Sequence, residues 1–230
     1  MGVVRYRELA PPPDLAHVLR CTWRRLGDGA EVLVLPDGCV DVVVIDGVAF
    51  AVGPDTGPNP TAVRAGATVS GIRFRPGAAA AVLGVDVAEL RDRRVPLEAL
   101  WGPAGREAGE RGDGDPTALL VALTRRLRAA APDPRVLAAA RALARAPATR
   151  LPELADRLGL GERQLRRRFT EGVGYGPKTF ARIARFRTAL ALLERGAAPA
   201  RAAHDAGYAD QPHLTRELVA LGGRTPAAVR

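Results

Sequence analysis

Two hydropathic textures divide the chain. Over the first hundred residues, apolar positions come in short β-branched runs separated by turn residues. Glu31–Leu35 and Val40–Ile45 flank Pro36-Asp37-Gly38, and Asp46-Gly47 reads as a tight hairpin turn into Val48–Val52. Thr68–Phe74 alternates as a further strand, while Gly53–Pro60, with three prolines and two glycines, reads as loop. Gly77–Leu83, Val85–Leu90 and Pro96–Trp101 read as short helical pieces. Gly102–Pro116 holds five glycines and two prolines among charged residues, which is linker composition. The period then becomes helical. Thr117–Ala131 stops at Pro132-Asp133-Pro134, Val136–Ala146 stops at Pro147, and from Leu151 helical segments alternate with short glycine turns. The pattern predicts a strand-rich α+β domain over 1–102, a linker and connecting helix over 103–132, and an all-α domain over 133–230.

Within the all-α part, two segments match each other. Leu154-Ala155-Asp156-Arg157-Leu158-Gly159-Leu160 leads into Gly161–Phe169, and Ala202-Ala203-His204-Asp205-Ala206-Gly207-Tyr208 leads into Ala209–Leu218. Ala155 and Gly159 pair with Ala203 and Gly207 at an offset of 48; Leu165 and Phe169 pair with Leu214 and Leu218 at 49. Each matched position has a physical use in a helix-turn-helix. A small residue lets two helices cross closely. A glycine accepts the left-handed backbone of the turn. An apolar residue, Leu160 or Tyr208, seals the corner, and an i, i+4 apolar pair pins the second helix. Its opposite face is then free to enter a DNA major groove. Between the two copies, Pro177 opens a helix whose apolar positions run to Gly196. About eighteen residues give roughly 27 Å of helix, enough to hold two reading heads near one DNA turn, roughly 34 Å, apart.

Charge sharpens this picture. The net charge is +9, yet residues 1–132 carry 16 basic against 16 acidic side chains. Residues 133–230 carry 18 against 9, so the whole excess lies beside the repeated units. A concentrated basic region is the electrostatic footprint of a nucleic-acid binder. Lys178 is the only lysine, which points to a codon bias toward arginine and lowers the weight of arginine abundance alone. Cys21 and Cys39 are the only cysteines and form no CxxC, so neither a metal nor another cofactor is expected. Met1–Glu8 lacks an apolar leader core and no apolar run approaches the ~20 residues of a membrane span, so a cytoplasmic location with no membrane partner is expected. No Ser/His/Asp order, HExxH, P-loop or GxGxxG occurs, and no enzymatic activity is expected.

The stretch from about Asp133 to Arg230 resembles the DNA-binding domain of AraC-type regulators. The resemblance rests on Leu154-Ala155, Leu158-Gly159-Leu160, Leu165, Arg168-Phe169, Gly172-Val173-Gly174, Phe180, Arg185, Arg187, Ala189 and Leu192-Leu193. It continues through Ala203, Gly207-Tyr208, Asp210-Gln211, His213-Leu214, Arg216 and Gly223-Arg224-Thr225-Pro226, the last pair matching the cap that opens a final helix. Three departures stand out: Tyr208 and Leu218 where phenylalanine is usual, and Pro212 inside the second recognition helix. Pro36–Cys39, Gly71–Gly77 and Val95–Gly102 are similar to a short domain fused to some such regulators, shorter than the family's usual sugar-binding barrel.

The resemblance implies a transcription regulator whose partner is double-stranded DNA. By analogy it implies a ligand-sensing or dimerising N-terminal domain, with a small-molecule effector, RNA polymerase and a second copy of the chain as candidate partners. On the first recognition helix, Arg163 and Arg167 lie about 200° around from the Leu165/Phe169 side, and Arg166 flanks them. Arginine reads guanine bidentately, so the three are candidates for base readout; contact with phosphate alone is the alternative. On the second helix the resemblance favours Gln211, Thr215 and Arg216. Arg187 is expected to be structural or a phosphate contact, and His213 is a further phosphate candidate. A nonspecific architectural DNA binder is the competing function, and the nearly regular second unit argues against it.

Overall fold

The computed structural model describes residues 6–229. Met1–Arg5, most of the polar start considered above, lie outside the described residues, as does Arg230. Eight strands are present among the described residues: β1 (Tyr6–Leu9), β2 (Leu19–Leu26), β3 (Glu31–Val34), β4 (Asp41–Ile45), β5 (Val48–Val52), β6 (Asn59–Ala62), β7 (Thr68–Phe74) and β8 (Arg94–Pro96). Six of them form an antiparallel sheet in the order β1-β2-β7-β4-β5-β8. The other two, β3 and β6, pair as a separate antiparallel ribbon.

Strand alternation sorts the two faces of the sheet. Val42, Val44, Ile72 and Phe74 face the larger core, beneath the helices α1 (Ala79–Leu83), α2 (Leu97–Trp101), α3 (Pro103–Gly112) and α4 (Pro116–Ala129). Cys21, Trp23, Val43 and Val69 face the other way and form a smaller cluster with Val63. Any side chain at Gly71, between β2 and β4, would collide with the Trp23 indole, so the ring lies flat across that strand.

The segment read as linker is instead helical and packed. Its glycines fall on one face of α3 and admit a close backbone approach. A Cβ at Gly109 would meet the Gly47 carbonyl, one at Gly105 the Leu97 backbone, and one at Gly112 the Leu119 side chain. Ser70 donates to the Gly112 carbonyl at 2.6 Å and fixes the end of that helix to β7. The glycine composition that suggests flexibility therefore serves contact. Ala108, Leu119, Leu123 and Leu127 all join the core of the sheet.

Other differences follow the same logic. Tyr6–Leu9 is exposed throughout and gives no alternation, and arginines interrupt the pattern of β2. Pro60 sits in β6, within the expected loop, and Pro96 ends β8; prolines are tolerated at sheet edges. Val85–Leu90 contains only a 3-10 turn at Val87–Leu90, and helix replaces Pro96–Trp101 only from Leu97.

The remainder is helical: α5 (Pro134–Arg145), α6 (Leu151–Arg157), α7 (Glu162–Val173), α8 (Pro177–Glu194), α9 (Pro199–Asp205) and α10 (Gln211–Gly222). A 3-10 turn, Pro226–Val229, stands where the Thr225-Pro226 cap predicts a final helix. One continuous core joins all six helices, through residues such as Ala139, Leu154, Phe169, Phe186, Ala203 and Leu218. No helix among the described residues is long and apolar enough to cross a membrane.

Candidate nucleic-acid interface

The two repeated units fold alike, down to the hydrogen bonds of their turns. Gly159 (φ 63°) and Gly207 (φ 78°) both adopt the left-handed backbone. After each glycine the chain reaches back to the small residue at the crossing. The Leu160 N–H donates to the Ala155 carbonyl at 3.0 Å, and the Tyr208 N–H donates to the Ala203 carbonyl at 2.9 Å. These are six-to-one bonds of the kind that close a helix on a glycine. Ala155 and Ala203 are buried, as Leu160 and Tyr208 are. The pinning pairs Leu165/Phe169 and Leu214/Leu218 are fully enclosed, and Phe169 meets Phe180 of α8 edge to face at 5.5 Å.

Both second helices begin with a satisfied cap. The Gly161 N–H donates to Gln164 Oε1 at 3.2 Å. The His213 N–H donates to Asp210 Oδ1 at 2.6 Å. Pro212 falls in the first turn of α10, where its missing N–H would have no helical partner, so this departure costs the helix little. His213 also stacks edge-on against Tyr208 at 5.0 Å, which fixes the corner of the second unit.

The outward faces carry the residues singled out from the sequence. On α7, Arg163, Arg166 and Arg167 are exposed. Arg166 donates to Glu162 at 2.9 and 2.6 Å, and Arg167 donates to Glu171 at 2.9 Å, both i, i+4 pairs along the helix. Exposed pairs of this kind are worth only about 0.3–0.5 kcal/mol, so a phosphate or base can displace them. The Arg163 side chain has no hydrogen bond or ion pair among the described residues and is held by nothing that must first be broken. On α10, Gln211 and Arg216 are exposed. Thr215 is half-buried, and its hydroxyl donates to the Gln211 carbonyl at 3.0 Å. The six residues thus form two sets of three, one on each recognition helix.

Three basic residues that patterning left without a role brace these helices. Arg168 donates to Asp133 at 2.9 Å, tying α7 to the cap of α5. Burial raises the Asp133 carboxyl, but the hydrogen bonds from Arg168 and the Arg135 amide outweigh it and the group ends below its usual range. Arg182 binds Glu217 across α8 and α10, and Arg185 lies over the Tyr208 ring at 4.9 Å. Asp133 reads in sequence only as part of a helix stop; its role as the cap of the next helix, followed by proline, was the available signal.

Residues 154–230 match the model of a helix-turn-helix domain. This region is an AraC-type helix-turn-helix domain. The chain is accordingly a DNA-binding transcription regulator. Residues 7–96 match a domain of unknown function, DUF6597. No curated protein sequence matches the chain. Among solved structures, ToxT from Vibrio cholerae O395 aligns over 97% of this chain and 96% of its own, with 10% identity and a TM-score of 0.45. Fatty-acid-bound ToxT from Vibrio cholerae strain SCE256 aligns over 99% and 95%, with 7% identity and a TM-score of 0.45.

Two further features of the regulator lie outside the recognition faces. An open cleft of about 900 Å³ separates α5 and α8 from the sheet, lined by Arg20, Arg75, Arg141, Arg145 and Arg187 with Asp37 as a counter-charge. Cys21 and Cys39 are buried free thiols. Burial, with Glu8 adding to it, pushes Cys21 up to about 11, and burial pushes Cys39 well above its usual value, so neither is activated for thiolate chemistry.

Proposed function

We propose that the protein binds DNA sequence-specifically, presenting α7 and α10 to successive major-groove segments of one face of the duplex. Arg163, Arg166 and Arg167 serve the first segment, and Gln211, Thr215 and Arg216 the second. The observation that carries this reading is the duplicated turn chemistry on one shared core. A protein bound by charge alone would need neither two matched units nor a stiff helix between them. The α8 helix spans 18 residues, about 27 Å at ~1.5 Å per residue, close to the separation of groove segments one turn apart. The sensing and reading parts are proposed to meet near residues 130–134, where one core ends and the other begins. The strand-rich part is proposed to bind a small effector; RNA polymerase and a second copy of the chain are the proposed protein contacts.

The test is selection of bound duplexes from a random pool, followed by footprinting. The expected site has two short conserved blocks about 10 base pairs apart. Enrichment of a single block would remove the second unit from readout. No enrichment at all would favour the architectural alternative.

A further inference from the structure

The β3–β6 ribbon has two working faces. On one, Val32 and Val34 line a cavity of about 140 Å³ closed on its far side by Trp23 and Val43 of the sheet. Leu33, between them in sequence, points the opposite way by strand alternation. It meets the C-terminal domain at the cap of the second recognition helix. There Gly223 ends α10 in the left-handed conformation (φ 64°), and its N–H donates to the Val219 carbonyl at 3.0 Å. A side chain at Gly223 would lie 3.0 Å from Leu33 Cδ2 and 3.7 Å from Pro58 Cγ. Leu35, two residues beyond Leu33, packs on the helical core itself. The ribbon is paired only with itself, so it is joined to the main sheet by side chains rather than by a ladder.

The wall of the cavity holds one unsatisfied polar group. Asp41 and Arg73 in its wall satisfy each other, with Nε and Nη2 of Arg73 at 3.0 and 2.9 Å from the carboxylate, and Trp23 Nε1 donates to Asp41 at 3.1 Å. Arg25 does not share in this. Its Nε is buried and has no hydrogen-bond partner among the described residues. An orphaned buried donor costs about 1–3 kcal/mol and calls for an acceptor. Arg94 and Asp55 also line the cavity, so its charged groups, Arg25, Arg73 and Arg94 against Asp41 and Asp55, leave one net positive charge. Apart from Asn59 and Thr61, the rest of the wall is aliphatic and aromatic. A cavity on the order of 150 Å³ with such walls accepts a single six-membered ring.

We propose that this cavity binds a ring-sized apolar monocarboxylate, its acid group meeting Arg25, and that the ribbon relays occupancy through Leu33 to the α10 cap. The proposal rests on the effector reading above and names both the ligand class and the route. A ligand under Val32 and Val34 shifts a ribbon whose other face holds the end of a recognition helix. Because the contact is at α10 and not α7, the second half of the DNA site feels the ligand first.

The experiment uses the full chain with three probes that share one ring: cyclohexanecarboxylate, cyclohexylmethanol and cyclohexylmethylamine. Calorimetry should show the carboxylate binding at least about tenfold tighter than the other two, a factor one charged hydrogen bond supplies. Arg25→Met should remove that preference. If Arg25→Met does not fold, Val43→Phe, which fills the cavity, should abolish binding of all three. Binding of none of the probes to the folded wild type, or equal binding of the amine, overturns the ligand class. Affinity for a selected duplex is then measured with and without carboxylate. A change of about fivefold or more is expected, confined to duplexes with an intact second block. Leu33→Ala should bind the carboxylate as the wild type does yet lose that change. An unaltered response in Leu33→Ala overturns the ribbon route, and so does carboxylate binding without any change in DNA affinity. Failure of the wild type to select any duplex would refute the DNA reading instead, independently of the calorimetry.

Discussion

Arg182 Nε lies 2.9 and 2.8 Å from the two carboxylate oxygens of Glu217, so the connecting helix grips the second recognition helix through one bifurcated contact. Glu217 is the more enclosed partner, its side chain 13% exposed against 40% for Arg182. Removing the arginine alone leaves a mostly buried carboxylate without its counter-charge, which is the costly way to break such a pair. Arg182→Met should therefore lose about 1–2 kcal/mol of stability, less than the ~3–5 kcal/mol of a fully buried pair because Arg182 is partly solvated. Adding Glu217→Leu should restore most of it. Urea melts of the two single variants and the double variant measure the coupling; additive losses would mean the pair contributes nothing.

That contact was invisible in sequence, whereas its surroundings were not. Ala155, Gly159, Leu165 and Phe169 and their counterparts each have a role set by local backbone geometry, so spacing alone located them. Arg182 and Glu217 are 35 residues apart and look like two more charges on polar helix faces; only the tertiary crossing pairs them. The strand-rich part was less legible for a related reason. Val40–Ile45 and Thr68–Phe74 are central strands with apolar patterns, and their burial shows in their composition. Tyr6–Leu9 and Asn59–Ala62 lie at edges, where side chains need not be apolar. The α3 helix misled because propensity and packing ask opposite things of its glycines.

Gly109→Ala puts that conflict to a direct test. Helix propensity alone predicts a gain of about 1 kcal/mol for replacing a mid-helix glycine by alanine. The structure predicts the reverse, because the new Cβ would meet the Gly47 carbonyl oxygen and the Ala49 nitrogen, both backbone atoms that cannot swing aside. A loss of about 1–3 kcal/mol, the range for overpacking, is expected. Thermal melts decide the sign, and a stabilised variant would show that α3 does not pack there.

Asp55 gives the strand-rich part a pH signature. Burial first, then the charges of Asp92 and Asp37, push its carboxyl up to about 6. In the unfolded chain an aspartate titrates near ~3.9. Between those values the folded protein holds the proton more tightly than the unfolded one, so stability falls as pH rises through this window and the loss is complete above it. Asp55→Asn should stabilise the protein by about 1–2 kcal/mol at pH 7.5, a figure already reduced for partial solvation. The gain should vanish at pH 4. Denaturant melts at the two pH values check this; an equal effect at both would trace the change to packing rather than charge.

Salt should separate attraction from recognition. If several of the exposed arginines neutralise phosphates, log K falls by about 0.9 for each such contact per log unit of salt. Arg187, exposed on the cleft side of α8, should change this slope by at most one contact. Anisotropy titrations between low and physiological salt provide the slope, and a flat response would exclude phosphate contacts as the source of affinity.

Readout itself is tested on α7. Arg167→Ala removes an exposed guanidinium whose side-chain partner among the described residues is Glu171, and leaves the enclosed Leu165/Phe169 pair untouched. If Arg167 reads a guanine, its loss should cost about 1–3 kcal/mol at the selected site and relax preference at one base pair. Nonspecific duplexes should lose only one phosphate contact. Arg163→Ala should match or exceed it on the selected site, because Arg163 gives up no helix pair to bind. Phe169→Ala behaves differently: truncating a core aromatic packed on Phe180 costs about 3–5 kcal/mol of stability, and binding to every sequence fails together. All three variants are titrated against selected and scrambled duplexes after circular dichroism confirms their folding. Equal losses on both duplexes for Arg167→Ala would make that residue a phosphate clamp and leave readout of the first block to Arg163.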